Sequence, residues 1–483
     1  MAVDAALDRL LGPVTEVFFG LVFHSVDVGP VSLPLVVVWL SVASIFFTAY
    51  FGLINLRGFA HALRLVRGDF ADPSHKGEVS HFGALTAALS GTVGVGNVAG
   101  VALAITMGGP GAAFWMVVAG FCGMSLKFAE CALSVKYRRI NPDGTVSGGP
   151  MYYLKEGLAR RGWPRLGWAA AAFFAVMMVL GSFNPFQVNQ AFVQFSLVTG
   201  FDNGFLFGLG MAFVLGLVIV GGIRSIARVT TRLVPVMCGL YVVAGLALLV
   251  AYADRLPGVF ALILADAFAL DSVAGGVLGS LIIGFQRAAY SSEAGLGSAA
   301  IAHSAVRTAE PVTEGFVALL EPFLDTVVVC TITALVIVVT GMYRTDGIGG
   351  VEITSGAFAT IFPWFPSVLS ITVMFLAMST VLAWAYYGER AWGFLFGESR
   401  ASRWTYKVLL LCGISVGATL EPVEAIRFMD AAVFAMAVPN ILALYLFASE
   451  LKGDLKSYMA RVASGQIVNH RLRRRAAAAV ADG

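Results

Sequence analysis

The chain has 483 residues, of which 58% are hydrophobic and only 13% charged, with a net charge of +3 and a mean hydropathy of +0.83. Soluble domains average about 25% charged residues, whereas apolar stretches of about twenty mark membrane spans. The imbalance excludes a soluble enzyme, a nucleic-acid binder and a secreted disulfide scaffold, and so small a net charge gives no reason to expect a polyanionic partner.

The first residues carry Asp4, Asp8 and Glu16 against a single Arg9, so they lack the basic start of a cleaved signal peptide. Apolar runs of helical length follow at 31–53, 82–107, 112–135, 166–199, 205–221 and 233–252. Further runs lie at 273–302, 315–341, 355–387, 405–420 and 428–448, which makes eleven expected transmembrane helices. Cys122, Cys131, Cys238, Cys330 and Cys412 all sit inside such runs with no CxxC spacing, and they read as small buried hydrophobes. Between the third and fourth runs, GTVSGG at Gly144–Gly149 reads as a turn, and Met151–Ala159 as an amphipathic segment lying along the membrane surface.

Lys and Arg fix the direction. Alternate connections, beginning with 56–80 and ending with the tail, hold 26 of the 32 basic residues. The opposite side holds Arg9, Arg255, Arg344 and Arg427, and Lys127 and Arg287 lie within spans. This asymmetry puts the amino terminus outside and the tail, with its Arg471, Arg473, Arg474 and Arg475 cluster, in the cytoplasm near anionic lipid.

Two spans carry breaks. In the second, Gly91–Asn97 reads GTVGVGN, and each mid-helix glycine costs roughly 1 kcal/mol relative to alanine. Small-residue packing would use one helix face, but Gly91, Gly94 and Gly96 point in different directions, so an unwound segment is expected. The seventh span has its counterpart at Gly284–Gly297, GFQRAAYSSEAGLG, which brings Arg287 and Glu293 to membrane depth. Charge and irregular backbone there are tolerated only where they face protein or a cavity. Residues 80–252 and 272–450 each hold five spans, each set begins with a broken helix, and the two sets start on opposite sides. That is an inverted repeat with a site at the paired breaks, the architecture of a secondary transporter. The expected organisation is an extracellular start (1–30), a leading helix (31–53), the two five-helix halves and a cytoplasmic tail (451–483).

At Gly94–Asn97 the second half-helix begins with free N–H groups, which suit a carboxylate. Carbonyls released by unwinding, with nearby hydroxyls, suit a hard cation such as Na⁺. The natural guess is an amino acid coupled to Na⁺.

The run SHFGALTAALSGTVGVGNVAGVA, GGPGAAFWM at Gly108–Met116, KYR at Lys136–Arg138 and GGPMYYL at Gly148–Leu154 resemble the alanine or glycine:cation symporter family. So do SSEAGLGSA at Ser291–Ala299, FLDTVVVCTIT at Phe323–Thr333 and STVLAWAYYGE at Ser379–Glu389. The resemblance implies an all-α membrane fold of the leucine-transporter type, one leading helix plus a five-plus-five inverted repeat. It further implies Na⁺- or H⁺-driven uptake of small neutral amino acids by a plasma-membrane protein with no other cofactor. Carried over, it puts the substrate carboxylate on N–H groups near Gly94 and Gly96, with Thr92 and Asn97 beside them, and makes Gln187, Tyr290, Ser291, Thr380 and Trp384 line the pocket. Trp384 would limit substrate size. Na⁺ would meet the carbonyls of Ser90 and Val93 and the hydroxyls of Ser379 and Thr380.

Several residues also admit plainer roles. Gln187 and Asn189 suit helix–helix hydrogen bonds, Asp325 suits an internal polar network, and Arg287 with Glu293 suits a structural or gating charge pair. Lys127 and Glu130, three apart, are expected to pair on one helix face. Val95 and Ser292 stand where the family usually has threonine and asparagine, and Pro185 and Pro322 are unusual inside helices. A proton-coupled symporter, with Glu293 or Asp325 titrating, and a transporter-like sensor that binds without turnover are the alternatives. No paired aspartates of GxGD type, HExxH or GxSxG motif points to an enzyme.

Overall fold

The computed structural model describes residues 13–28, 31–72, 74–141, 144–269 and 276–467, and the fold is almost entirely helical. The chain opens with α1 (Pro13–Val22), then a small antiparallel hairpin of β1 (Ser25–Val28) and β2 (Val31–Pro34). The leading helix α2 (Leu35–Tyr50) therefore starts four residues later than its apolar run, because Val31–Pro34 pairs as a strand. A short amphipathic helix α3 (Phe59–Val66) leads to the first broken span, α4 (His81–Thr92) and α5 (Ala99–Gly108). Next come α6 (Gly111–Lys136), then α7 (Pro164–Ser182) and α8 (Pro185–Thr199) in one apolar run. Helices α9 (Gly204–Ile219), α10 (Gly222–Ala251) and α11 (Leu256–Ala267) follow.

The second half starts with the other broken span, α12 (Val277–Ser292) and α13 (Ala299–His303). Then follow α14 (Pro311–Ala318), α15 (Thr331–Thr340) and a short α16 (Val351–Ala359). The long helices α17 (Phe365–Phe396), α18 (Arg400–Gly417) and α19 (Pro422–Ala463) close the chain. A helix lies on each of the eleven apolar runs. Among the described residues, six helical segments are by length and composition able to cross a bilayer, and α4 with α5, bent by 59°, makes a seventh.

α6 is the central pillar, packed against α2, α12, α13 and α14. α17 lies against α4, α7 and α8, and α7 also rests on α19. Small residues allow these approaches: a Cβ on Gly315 of α14 would reach within 2.7 Å of the Phe128 carbonyl on α6. Pro322 sits between α14 and α15, and the residues after it, Phe323–Cys330, wind as a π-helix. A proline that donates no N–H removes one rung of the ladder, and a wider turn is a common response.

Two surface expectations need correction. Met151, Tyr153, Leu154 and Leu158 are buried, and the Tyr153 hydroxyl bonds Asn440 on α19, so this segment is inside the protein and not along the membrane plane. Val146–Ser147, inside the expected turn at Gly144–Gly149, pairs as a strand with Arg139–Ile140. α19 runs on past residue 450 to Ala463, where the Arg461 guanidinium donates twice to Glu310 at 2.6 and 2.7 Å. The Arg471–Arg475 cluster, like Asp4, Asp8 and Arg9, lies outside the described residues.

Between the first two spans, His61 of α3 is buried, with its Nε2 2.8 Å from the Tyr458 hydroxyl of α19. Burial, aided by the neighbouring Arg64 guanidinium, pushes the His61 ring down from 6.5 to about 4. The unfolded chain takes a proton first, so stability present above 6.5 is lost as pH falls towards 4. Thermal unfolding of the purified protein should show this acid loss. His61→Phe should reduce it by about 1–2 kcal/mol, a value discounted for the water the ring retains.

Candidate functional site

The first break is built by side chains that replace missing helical partners. α4 is capped at Ser80, whose hydroxyl accepts from the Gly83 N–H at 3.1 Å. After Thr92 the backbone extends through Gly94, then makes one 3₁₀ turn over Val95–Asn97. The Gly94 N–H donates to Asn97 Oδ1 at 2.9 Å, and the Val95 N–H donates to Gln187 Oε1 on α8 at 2.8 Å. The Ser90 carbonyl therefore loses the N–H that would continue the helix. The Val93 carbonyl loses its own as well, because the Asn97 N–H goes to Gly94 at 3.2 Å.

The second break is made by left-handed backbone. Glu293 has φ +54°, and Gly295 and Gly297 follow at +87° and +83°. Only glycine takes that conformation without strain, and for Glu293 the cost is of order 1–3 kcal/mol. Its carboxylate is held by the Trp384 indole N–H at 2.8 Å and by the Ser298 hydroxyl. A third interruption falls at Asn184, φ +48°, between α7 and α8, with Pro185 opening the new helix.

These three interruptions face one small polar cavity of about 10 Å³, room for roughly one water molecule. Seven of the nine residues expected to bind substrate line it: Thr92, Gly96, Gln187, Tyr290, Ser291, Thr380 and Trp384. Gly94 and Asn97 do not. The Asn97 amide is fully used, because its Nδ2 donates to the Asp325 carbonyl at 3.1 Å and to Asp325 Oδ1 at 2.6 Å. Asn97 thus shapes the break and does not face the cavity. Gly94 lies behind the wall, and a Cβ there would collide with the Thr380 hydroxyl and come within 2.9 Å of Gln187 Oε1.

Asp325 sits in the π-helical turn and accepts from Ser291 and Thr326 hydroxyls, both at 2.8 Å. It therefore links the two breaks. Of the residues expected around Na⁺, Thr380 has a buried hydroxyl without a partner, while the Ser379 hydroxyl donates to the Leu376 carbonyl at 2.9 Å. Ser90 turns its own hydroxyl to the Ala87 carbonyl at 2.9 Å.

The expected charge pairs are corrected. Arg287 pairs with Asp430 of α19, not with Glu293. Lys127 pairs with Glu321 at 3.3 Å, not with Glu130, which accepts from Asn440 Nδ2 at 2.7 Å. On a helix buried on several faces, a carboxylate from a packed neighbour can approach end-on, which a residue three along the same helix cannot. Sequence reasoning also missed Asn184, Glu293 and Met429 as cavity lining. A polar residue before proline marks the first, and an Asp inside the last apolar run marks Asp430.

The Asn189 amide donates to the Leu420 carbonyl at 2.6 Å, a plain helix-to-loop bond. Among the described residues, the cavity retains polar atoms with nothing to bond: the Tyr290 and Thr380 hydroxyls and both ends of the Asn184 amide. Each such buried group costs about 1–3 kcal/mol unless a ligand satisfies it.

Broken membrane helices meeting at a closed polar cavity define a secondary transporter. The chain belongs to the sodium:alanine symporter family, whose model matches residues 21–471. It is 36% identical over 429 residues to the sodium/alanine symporter AgcS of Methanococcus maripaludis, covering 88% of this chain and 94% of that protein. A probable sodium/glutamine symporter, GlnT of Bacillus subtilis, is 32% identical over 89% of both chains. The putative sodium/proton-dependent alanine carrier YrbD of the same organism is 34% identical over 82% of this chain and 84% of its own. In fold, the crystal structure of MhsT in complex with L-phenylalanine aligns with a TM-score of 0.57 at 15% identity, over 77% of this chain and 90% of that one. The protein is thus a multi-pass membrane transporter, a cation-coupled amino acid symporter and not an enzyme.

Gly94 offers the sharpest local test. Gly94→Ala should leave a folded, monodisperse protein because one methyl displaces only pocket side chains. Amino acid uptake should fall about tenfold or more, since the displaced Thr380 and Gln187 both face the cavity.

Proposed function

We propose that the protein takes up small neutral amino acids such as alanine or glycine with Na⁺, by alternating access across eleven spans, with its amino terminus outside and its tail in the cytoplasm. The observation that carries this reading is the small polar pocket where the three interruptions meet, with Tyr290, Thr380 and Asn184 unpartnered.

The N–H groups of Gly94 and Val95 are already engaged, which leaves Gly96, facing the cavity, as the backbone position for the substrate carboxylate. Thr92, Tyr290 and Thr380 supply hydroxyls around it. Trp384, fixed by Glu293 and backed by Gly181, forms the wall that limits side-chain length; a Cβ on Gly181 would lie 3.0 Å from the indole. Na⁺ takes the released carbonyls of Ser90 and Val93 and the hydroxyls of Thr380 and Ser379, oxygen ligands that suit a hard cation. Glu293 and Asp325 are structural, one holding Trp384 and the other joining the breaks. Arg287 with Asp430 is assigned as a gating pair, supported by the Arg287 guanidinium lying 5.6 Å from the ring of Tyr290, which lines the cavity.

Substrate binding at the first break stabilises one arrangement of the two broken helices against the other; only such differential binding couples the ion to the amino acid. The test is alanine uptake into proteoliposomes under an inward Na⁺ gradient, a proton gradient, or neither. Accumulation driven by Na⁺ and blocked by unlabelled glycine is expected. Accumulation under the proton gradient without Na⁺ would reassign the ion, and none under either gradient by folded protein would overturn transport of alanine. Gln187→Ala removes the acceptor of the Val95 N–H and should lower uptake about 5- to 150-fold, equivalent to about 1–3 kcal/mol. Trp384→Ala should admit amino acids the size of leucine while weakening alanine.

A further inference from the structure

Away from the cavity, five side chains form a continuous buried chain: His81, Glu314, His303, Glu321 and Lys127. Glu314 gives one carboxylate oxygen to each histidine, at 2.6 Å to His81 Nδ1 and 2.5 Å to His303 Nδ1. Glu321 gives one oxygen to His303 Nε2 and the other to Lys127 Nζ at 3.3 Å. His81 opens α4, the first half of one broken span, and His303 closes α13, the second half of the other. Lys127 is on α6, Glu314 on α14, and Glu321 on the turn that follows.

Two separate counts find this chain one proton short. A neutral imidazole carries a single N–H, yet both nitrogens of His303 face carboxylate oxygens. Unless a proton is added to the ring or to one carboxyl, two lone pairs point at each other. By charge, two carboxylates stand against one ammonium among fully buried side chains, and an uncompensated buried charge is not tolerated.

The titratable groups facing the chain from neighbouring elements do not close the gap. Glu130 and Cys131 of α6 lie close to Lys127, as does Glu293 from the second break, and Tyr387 of α17 faces Glu321. Arg138, past the end of α6, is the added cation; its guanidinium donates to the carbonyls of Ser304, Val306 and Thr308 at 2.8, 2.5 and 2.7 Å. With Glu130 and Arg138 included, the balance is still one positive charge short, and Glu293 widens the gap to two. Cys131, His303 and Glu321 also present ligand atoms within 4.8 Å of one another, a spacing a metal ion could use. Both His303 nitrogens and Glu321 Oε1 are already engaged, and the Lys127 ammonium stands 3.3 Å from Glu321 Oε2 as an ion pair, where a second cation would be repelled.

We infer that this chain is a proton-binding site, loaded with one proton held between His303 and its two carboxylates, and that the loaded site clasps α4 to α13 so that the two broken helices move together. Its ligand is H⁺, taken from and released to water, and it is separate from the Na⁺ and amino acid positions.

The experiment measures thermal unfolding of the purified protein and alanine exchange in proteoliposomes, both with pH equal on the two sides, from neutral to alkaline. A site that holds a proton only in the folded state loses its stabilisation as pH rises. Unfolding temperature and exchange should fall together in the wild type, the rate by about tenfold per pH unit beyond the midpoint. Glu321→Gln keeps an acceptor for His303 but removes a charge, so the midpoint should move about one unit or more to lower pH. His303→Gln, where it folds, should flatten the alkaline limb. A wild-type profile without an alkaline limb, or a Glu321→Gln midpoint that does not move, overturns the proposal. Absent exchange at every pH with the unfolding shift intact would leave the proton site standing and remove alanine transport instead.

Discussion

The structure depends on one constraint: inside a bilayer every backbone N–H and C=O must find a partner within the protein. Three interruptions of membrane helices survive here because named side chains stand in for lost helical bonds. Asn97 and Gln187 accept the N–H groups of Gly94 and Val95, and left-handed Gly295 and Gly297 let the second break turn without strain. What is not replaced is as informative. The carbonyls of Ser90 and Val93 are released on one side of the break, and unpartnered hydroxyl and amide groups gather on the other. A break that satisfies its donors and frees its acceptors presents oxygen to a cation, and its next turn presents N–H groups to an anion.

Charge follows the same logic at larger scale. An ion stripped of water costs several kcal/mol, which a good partner offsets. Arg287 meets Asp430 across more than a hundred residues, and Lys127 reaches Glu321 from another helix. Because each pair joins elements remote in sequence, it acts as a register pin: sliding one helix by a turn would leave two charges unpaired. Such pins favour movement of helices as blocks. Between the breaks and α6, the chain from His81 to Lys127 joins the start of α4 to the end of α13, while Arg287–Asp430 joins α12 to α19.

Much of this was legible in the sequence, for physical reasons. Hydrophobic runs read directly because a bilayer demands about twenty apolar residues whatever packs against them. GTVGVGN read as a break because glycines at three different faces cannot all serve packing. Partner choice was not legible. Lys127 with Glu130, and Arg287 with Glu293, were the neighbours available along the chain, and sequence distance is the only distance a sequence shows. In the folded protein the closest carboxylates belong to Glu321 and Asp430, brought in by tertiary packing. The substrate list and the cavity lining part at the same point: Gly94 and Asn97 belong to the break, but they lie behind its wall. Pro322 signalled irregularity without saying that a π-turn would follow and swing Asp325 towards the breaks.

Asp325 is where these lines meet. Its carboxylate takes Asn97 from the first break and Ser291 from the second, while Asn97 itself holds the Gly94 N–H beside Thr380 and Gln187. One amide and one carboxylate therefore join both breaks through contacts of hydrogen-bond length. A shift of α12 that moved Ser291 would pull on Asp325, then on Asn97, and so alter the spacing of the carbonyls that Gly94 leaves free. Coupling between two ligands requires that each prefer the same arrangement of an element with more than one state. A short polar link between two unwound segments meets that requirement with the fewest intermediaries.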